Sequence, residues 1–148
     1  MKTQLMAAAL VLFTASTAWS QAAPSETAAK AAKEPGAQVM PSGLVFRALK
    51  EGSGASPQAT DKVRVHYRGT FADGKEFDSS YSRGQPAEFP LDRVIKCWTE
   101  GVQKLKVGGK AKLTCPPDIA YGERGAGGVI PPNATLQFEV ELLAIAGR

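Results

Sequence analysis

The ionisable and nucleophilic side chains of this chain are poorly arranged for conventional catalysis. His66 is the only histidine. It stands in Val63-Arg64-Val65-His66-Tyr67-Arg68, where period-two alternation puts it on the polar face of a strand, so it reads as a solvated surface residue. No second histidine or cysteine lies at metal-ligand spacing, and there is no Gly-x-Ser-x-Gly elbow. Cys97 and Cys115 lack the CxxC spacing that a thiol-disulfide enzyme needs. The stretch Gly125-Ala126-Gly127-Gly128-Val129-Ile130 invites a phosphate-binding reading, but no Gly-Lys-Ser/Thr follows it. Pro131-Pro132 leads from it into a strand, so no helix N-terminus is there to hold an anion. Metal, nucleophile and nucleotide chemistry therefore find no support, and no cofactor is expected.

The chain does carry large apolar and aromatic residues near strand ends and loops: Tyr67, Phe77, Val94, Ile95, Trp98, Tyr121, Val129, Ile130 and Phe138. They could simply form the core. Tyr121, Val129 and Ile130 fit that reading less well, because they flank a glycine loop that belongs at the surface. Asp78 directly follows Phe77, and a carboxylate beside aromatic rings is costly unless paired or used. The alternative to a plain core is an apolar pocket with a few polar handles.

Strands must position most of these residues. Val63, Val65 and Tyr67 share one face; Ala111, Leu113 and Cys115 do so in a second segment; Leu136, Phe138, Val140 and Leu142 do so in a third. Clean alternation means an antiparallel sheet with one wet face. Leu44 to Leu49 adds a further strand, and Ala72-Asp73-Gly74-Lys75 carries an Asp-Gly turn signal. Trp98, Val102 and Leu105 fall instead at helical spacing, ended by Gly108-Gly109. The expected fold is α+β: a twisted antiparallel β-sheet wrapped around one short α-helix.

The ends read differently. Lys2 is followed by the apolar run Leu5 to Phe13 and then by small residues, the pattern of a secretory signal peptide over residues 1–22. Cleavage after Ser20 and cleavage after Ala22 both fit. No cysteine follows the apolar run, so no lipid anchor is expected. Residues 23–40, rich in Ala, polar residues, Pro and Gly, read as a flexible leader without an apolar stripe, transiently helical around Thr27 to Lys33. The remaining 41–148 form the domain. Export to a periplasmic or extracellular space makes the even cysteine pair a disulfide. Cys97 opens the helix and Cys115 points inward from a strand, so a helix-to-sheet bridge is reasonable, contributing about 3 kcal/mol. The net charge of +4 is spread along the chain, without the basic and aromatic interleaving of a nucleic-acid groove.

Several stretches taken together resemble the FK506-binding protein (FKBP) family of peptidyl-prolyl cis-trans isomerases. These are Val65-His66-Tyr67-Arg68-Gly69, Gly74-Lys75-Glu76-Phe77-Asp78-Ser79-Ser80, Val94-Ile95-Lys96-Cys97-Trp98-Thr99-Glu100-Gly101, Ala120-Tyr121-Gly122, Ile130-Pro131-Pro132-Asn133-Ala134-Thr135-Leu136 and Phe138-Glu139-Val140-Glu141-Leu142. They run in family order from about Ser42 to Ile145, and the exported form resembles small secreted bacterial members. The resemblance implies a pocket with Trp98 as floor and Tyr67, Phe77, Val94, Ile95 and Phe138 as walls, Asp78 and Tyr121 as polar groups, and Arg83 paired with Asp78. Val129 and Ile130 would flank substrate from a flap. Ala87 stands where well-known members carry phenylalanine, which should open one rim. Ala126 replaces a common histidine, and Cys97 a common glycine.

Such a pocket needs no nucleophile. Planar amides resist rotation by ~18–20 kcal/mol, and X-Pro bonds exchange over tens to hundreds of seconds. The twisted amide is less dipolar than the planar one, so an apolar cavity favours it. The resemblance implies a proline ring over Trp98, carbonyls held by the Ile95 N–H and the Tyr121 hydroxyl, and Asp78 ordering Tyr67 without moving a proton. The expected partners are proline-containing polypeptides and FK506-like macrolides, with the chain as a monomer. The alternative from another class is a non-catalytic proline-peptide binding module or chaperone using the same pocket.

Overall fold

The computed structural model describes residues 26–146. The apolar run Leu5 to Phe13 and the two expected cleavage points lie outside these residues. In chain order the elements are helix α1 (Glu26–Ala32), strands β1 (Ala37–Val39), β2 (Val45–Lys50), β3 (Lys62–Phe71) and β4 (Glu76–Ser79), helix α2 (Ser80–Arg83), strand β5 (Ala87–Pro90), helix α3 (Lys96–Val102), and strands β6 (Lys110–Cys115) and β7 (Leu136–Ile145). The seven strands form one antiparallel sheet in the order β1-β2-β6-β7-β3-β4, with β5 also pairing β3.

Alternation in the sequence becomes alternation in burial. Val63, Val65 and Tyr67 of β3 are buried while Arg64 and Arg68 are exposed, as a half-buried pleat requires. β3 and β7 pair from Val63↔Ile145 to Phe71↔Leu136, with a register shift between Arg64 and Val65. The residue left over is Leu143, and it is there that the inside–outside pattern of β7 breaks, the signature of a bulge. The far edge of β3 is shared: β5 covers Lys62 to Val65 and β4 covers Arg68 to Thr70. Phe77 and Asp78 on β4 and Phe89 on β5 thus come from separate edge strands, yet they line one cavity.

Helix α3 lies within the curve of the sheet, burying Cys97, Trp98 and Val102, with Leu105 following in the next turn. Each large apolar side chain so enclosed contributes about 1.5–3 kcal/mol. The expected disulfide is present: Cys97 and Cys115, both fully buried, join the start of α3 to the end of β6 with Cα atoms 5.7 Å apart.

Two expectations need correcting. Much of the segment assigned to a flexible leader is built into the fold. Ala28 and Ala31, three residues apart, are buried where α1 lies against the outer face of the sheet near β6. Alanines make a stripe too small to register as amphipathic, yet wide enough to seat a helix. Glu34 then ties the segment down through Lys112 Nζ at 3.1 Å and Arg47 Nη1 at 3.7 Å, and β1 pairs β2 from Ala37↔Arg47 to Val39↔Val45. The outer face is consequently not all wet: Thr114 of β6 is buried. The fold class is the expected one, α+β with an antiparallel sheet around α3, and the short helices α1 and α2 lie beside it. No helix of the described residues is long and apolar enough to cross a membrane.

Candidate functional site: an apolar cavity with a locked polar rim

Where β3, β4, β5 and β7 converge on α3 they enclose a cavity of about 440 Å³. Trp98 is its floor, 4% exposed. Three rings meet it edge to face: Tyr67 at 5.2 Å, Phe89 at 5.4 Å and Phe138 at 5.4 Å between centroids. Phe77 meets Phe138 the same way at 5.7 Å. Edge-to-face pairs gain energy beyond the area they bury, so these rings fix one another. Gly69 on β3 makes room for them. A Cβ there would stand 2.6 Å from Phe77 Cζ and 2.9 Å from Phe138 Cε1, closer than real Cβ contacts allow.

The mouth is formed by the link between β5 and α3. The 3-10 turn Leu91–Arg93 runs directly into Val94 and Ile95, and Ile95 is the N-cap residue of α3. The Ile95 carbonyl accepts from the Trp98 and Thr99 N–H groups. Its own N–H has no acceptor among the described residues, which leaves one main-chain donor free at the cavity. Tyr121 closes the opposite side from a loop and is 40% exposed. That loop folds on itself through the bridge Ala126↔Ile130. Gly125 makes this possible: its φ is 66°, and a Cβ would collide with the Ile130 carbonyl oxygen.

The polar groups form one network on the rim. Ser79 caps α2 by accepting the Ser82 N–H at 3.2 Å, and Gly84 ends it with φ 73°, which fixes where Arg83 emerges. Arg83 Nη1 donates to Asp78 Oδ1 at 2.6 Å and Nη2 to the Tyr67 hydroxyl at 3.1 Å. The Tyr67 hydroxyl donates to Asp78 Oδ2 at 2.5 Å. Burial pushes the Asp78 carboxyl up, but the hydrogen bonds from Tyr67 and Arg83 outweigh it and hold the group below its ordinary value. Burial and the bond to Asp78 together push the Tyr67 phenol up. Both groups are thereby moved away from neutral pH, which suits binding and positioning rather than proton transfer.

Of the residues singled out in the sequence, Tyr67, Phe77, Asp78, Val94, Ile95, Trp98, Tyr121 and Phe138 line the cavity. Arg83 acts at its rim through Asp78 and Tyr67. Ile130 is 6% exposed and packed with the core, and Val129 is 57% exposed on the loop; neither lines the cavity. Ala87 pairs Val65 and packs against the core. The aromatic wall on that strand is Phe89, which the sequence reading missed. Period two would have found it, since Phe89 shares a face with Ala87. Arg93 was also missed, although it immediately precedes Val94 and Ile95.

His66 departs from its expected solvation. It is half-buried, stacked on Tyr81 at 4.7 Å, with Nδ1 2.8 Å from Ser80 Oγ. It lies outside the cavity lining. Among the described residues no cluster of His, Cys, Asp and Glu could hold a metal ion.

Comparison with known proteins agrees with this geometry. Residues 54–143 match the family described as FKBP-type peptidyl-prolyl cis-trans isomerase. The chain is 53% identical over 116 residues to the FKBP-type peptidyl-prolyl cis-trans isomerase FkpA of Escherichia coli K12, covering 78% of this chain and 43% of that one. It is 56% identical over 103 residues to FK506-binding protein 1 of Dictyostelium discoideum, covering 68% of this chain and 96% of that one. The crystal structure of FkpA from Escherichia coli superposes with a TM-score of 0.79 at 51% identity, over 81% of this chain and 56% of that one. The chain thus spans less than half of the FkpA sequence it matches. With the family's domain matched and the aromatic cavity at the convergence of its strands, the chain belongs to the FKBP-type peptidyl-prolyl cis-trans isomerase family.

Proposed function

We propose that this protein accelerates cis-trans isomerisation of X-Pro bonds in exported polypeptides and so assists their folding. The observation that carries the reading is the cavity itself: an aromatic enclosure with a free main-chain donor at its mouth and its carboxylate already neutralised. A proline ring would rest on Trp98 between Tyr67, Phe77 and Phe138. The Ile95 N–H and the Tyr121 hydroxyl would hold flanking carbonyls, with Val94 against the substrate backbone. Rotation separates less charge in the twisted amide than in the planar one, so the apolar walls lower the barrier without forming a bond. A lowering of about 3–4 kcal/mol would give a rate gain of hundreds to about a thousand. Asp78 and Arg83 act through Tyr67 by holding its ring in place. Val129, on the loop, would touch only longer substrates, and Ile130 would support that loop from behind.

The same cavity would accept FK506-like macrolides, with one rim left small by Ala87. The domain of residues 41–148, preceded by the segment 23–40, would work as a monomer after removal of a signal peptide spanning residues 1–22. Its place of action would be the periplasm or the extracellular space, where the buried disulfide persists.

Exchange spectroscopy on a Leu-Pro peptide tests the reading. Cis and trans signals should broaden or exchange at protein concentrations far below that of the peptide. Binding without accelerated exchange would overturn it in favour of a proline-binding module or chaperone.

A further inference from the structure

We propose that Arg93 selects substrates carrying a carboxylate close to the isomerised proline. The inference rests on the isomerase reading above and names its substrate class. Arg93 lines the cavity, at the mouth formed by the turn Leu91–Arg93. It is exposed, and among the described residues its side chain makes no ion pair or hydrogen bond. The other cation at the rim is in a different state: Arg83 is committed to Asp78 and Tyr67.

Charge balance around the cavity follows from this contrast. Among the described residues Asp78 is the only carboxylate in the lining, and Arg83 already neutralises it. Asp92 neighbours Arg93 in the chain but does not line the cavity or pair with it. Lys96, exposed on the first residue of α3, does not line the cavity. The mouth therefore presents an unmatched guanidinium against otherwise apolar walls. A planar fork of donors binds carboxylates in two-point geometry, and it does so best beside a low-dielectric surface.

Reach limits where the acid can stand. An extended chain advances about 3.3–3.6 Å per residue, so a proline seated on Trp98 puts the neighbouring one or two residues within range of the mouth. A Glu or Asp there would meet Arg93, and a Lys would be repelled. Because Arg93 is exposed, the preference is modest and falls with salt.

The test uses peptides of equal length with a Leu-Pro core and Glu, Gln or Lys two residues before or two residues after the proline. The catalysed exchange rate per enzyme is measured for each at low salt and at about 0.5 M salt. The expected order is Glu, Gln, Lys, with a Glu-to-Lys ratio of about three- to tenfold on at least one side, shrinking at high salt. Arg93→Gln should bring the ratio close to one, and Arg93→Glu should reverse it. Lys50→Glu, the same change of charge at an exposed position outside the cavity lining, should keep the wild-type ratio. Each ratio is taken within one variant, so a general loss of rate does not affect it.

Equal rates for Glu and Lys peptides on both sides would overturn the role of Arg93 while leaving the isomerase reading intact. A ratio that survives in Arg93→Gln would also overturn it, since the overall field of the protein would then be the cause. Failure of every peptide to exchange faster would overturn both.

Discussion

The floor of the cavity and the loop above it are built on opposite terms. The floor, Trp98, and the wall that stands on it, Phe138, are each 4% exposed and sit on elements that the Cys97–Cys115 disulfide and the sheet hold together. The loop over residues 121–133 carries Tyr121 at 40% and Val129 at 57% exposure. Its main-chain bonds are mostly its own, such as Gly125 N–H to the Tyr121 carbonyl and Ala126 N–H to the Ile130 carbonyl. Gly122, Gly125, Gly128 and Asn133 all have positive φ. Rate should therefore depend on the floor, which is set before substrate arrives, whereas the loop should tune which chains are held. Preorganised surroundings act on the transition state; adaptable ones mainly affect binding.

Breaking the floor should have the largest effect. Phe138→Ala removes a wall that touches both Trp98 and Phe77, and should cost about 3–5 kcal/mol of stability with a loss of exchange rate of about a hundredfold. Denaturant melts and exchange spectroscopy read the two effects separately. Removing the staple comes next. The double change Cys97→Ala, Cys115→Ala should lower stability by about 3 kcal/mol, yet leave the rate in native buffer within about twofold. A rate that collapses in step with the bridge would mean that the disulfide shapes the cavity rather than only stabilising it.

The rim sits between floor and loop. Asp78→Ala should reduce the rate about tenfold, because Tyr67 loses its anchor, while stability falls by about 1 kcal/mol or less for so exposed an ion pair. Folding lowers the Asp78 pKa, so its carboxylate adds stability above the ordinary value of 3.8, and this is lost as the pH falls further through the folded value. The acid limb of a pH-stability curve should thus be shallower in Asp78→Ala. The smallest effects belong to the loop and the distant histidine. Val129→Ala should shift stability by no more than about 0.5 kcal/mol and change the rate less than threefold. His66→Ala should cost about 1 kcal/mol through its lost contact with Ser80, with little change in rate.

How far the sequence was legible followed the same division. β3, β6 and β7 could be read because Val63-Val65-Tyr67, Ala111-Leu113-Cys115 and Leu136-Phe138-Val140-Leu142 alternate cleanly. The helical spacing of Trp98 and Val102 likewise fixed the floor. The helix around Thr27 to Lys33 was expected, but β1 and the docking of α1 escaped because alanines bury without announcing a face, and because the contacts that hold the segment, Glu34 with Lys112 and Arg47, are long-range. β5 is four residues long and begins with a small one, so Phe89 was not recognised as a wall. The Asp78–Arg83–Tyr67 network depends on a cap at Ser79 and a left-handed Gly84, and only the family resemblance suggested its pairing. Val129 and Ile130 looked like pocket residues because they flank glycines; the bridge Ala126↔Ile130 instead turns one inward to the core and leaves the other outside.

The central claim is that the cavity lowers a rotational barrier without moving a proton. The most direct test is the catalysed exchange rate of a Leu-Pro peptide as a function of pH between about 5.5 and 8.5, the range in which a histidine or a tuned carboxylate would titrate. A flat profile is expected, since Asp78 is held below this range, Tyr67 is pushed above it, and His66 lies outside the cavity. A profile that rises or falls with a midpoint inside that range, and loses it in His66→Ala, would contradict the account and make proton transfer part of the reaction.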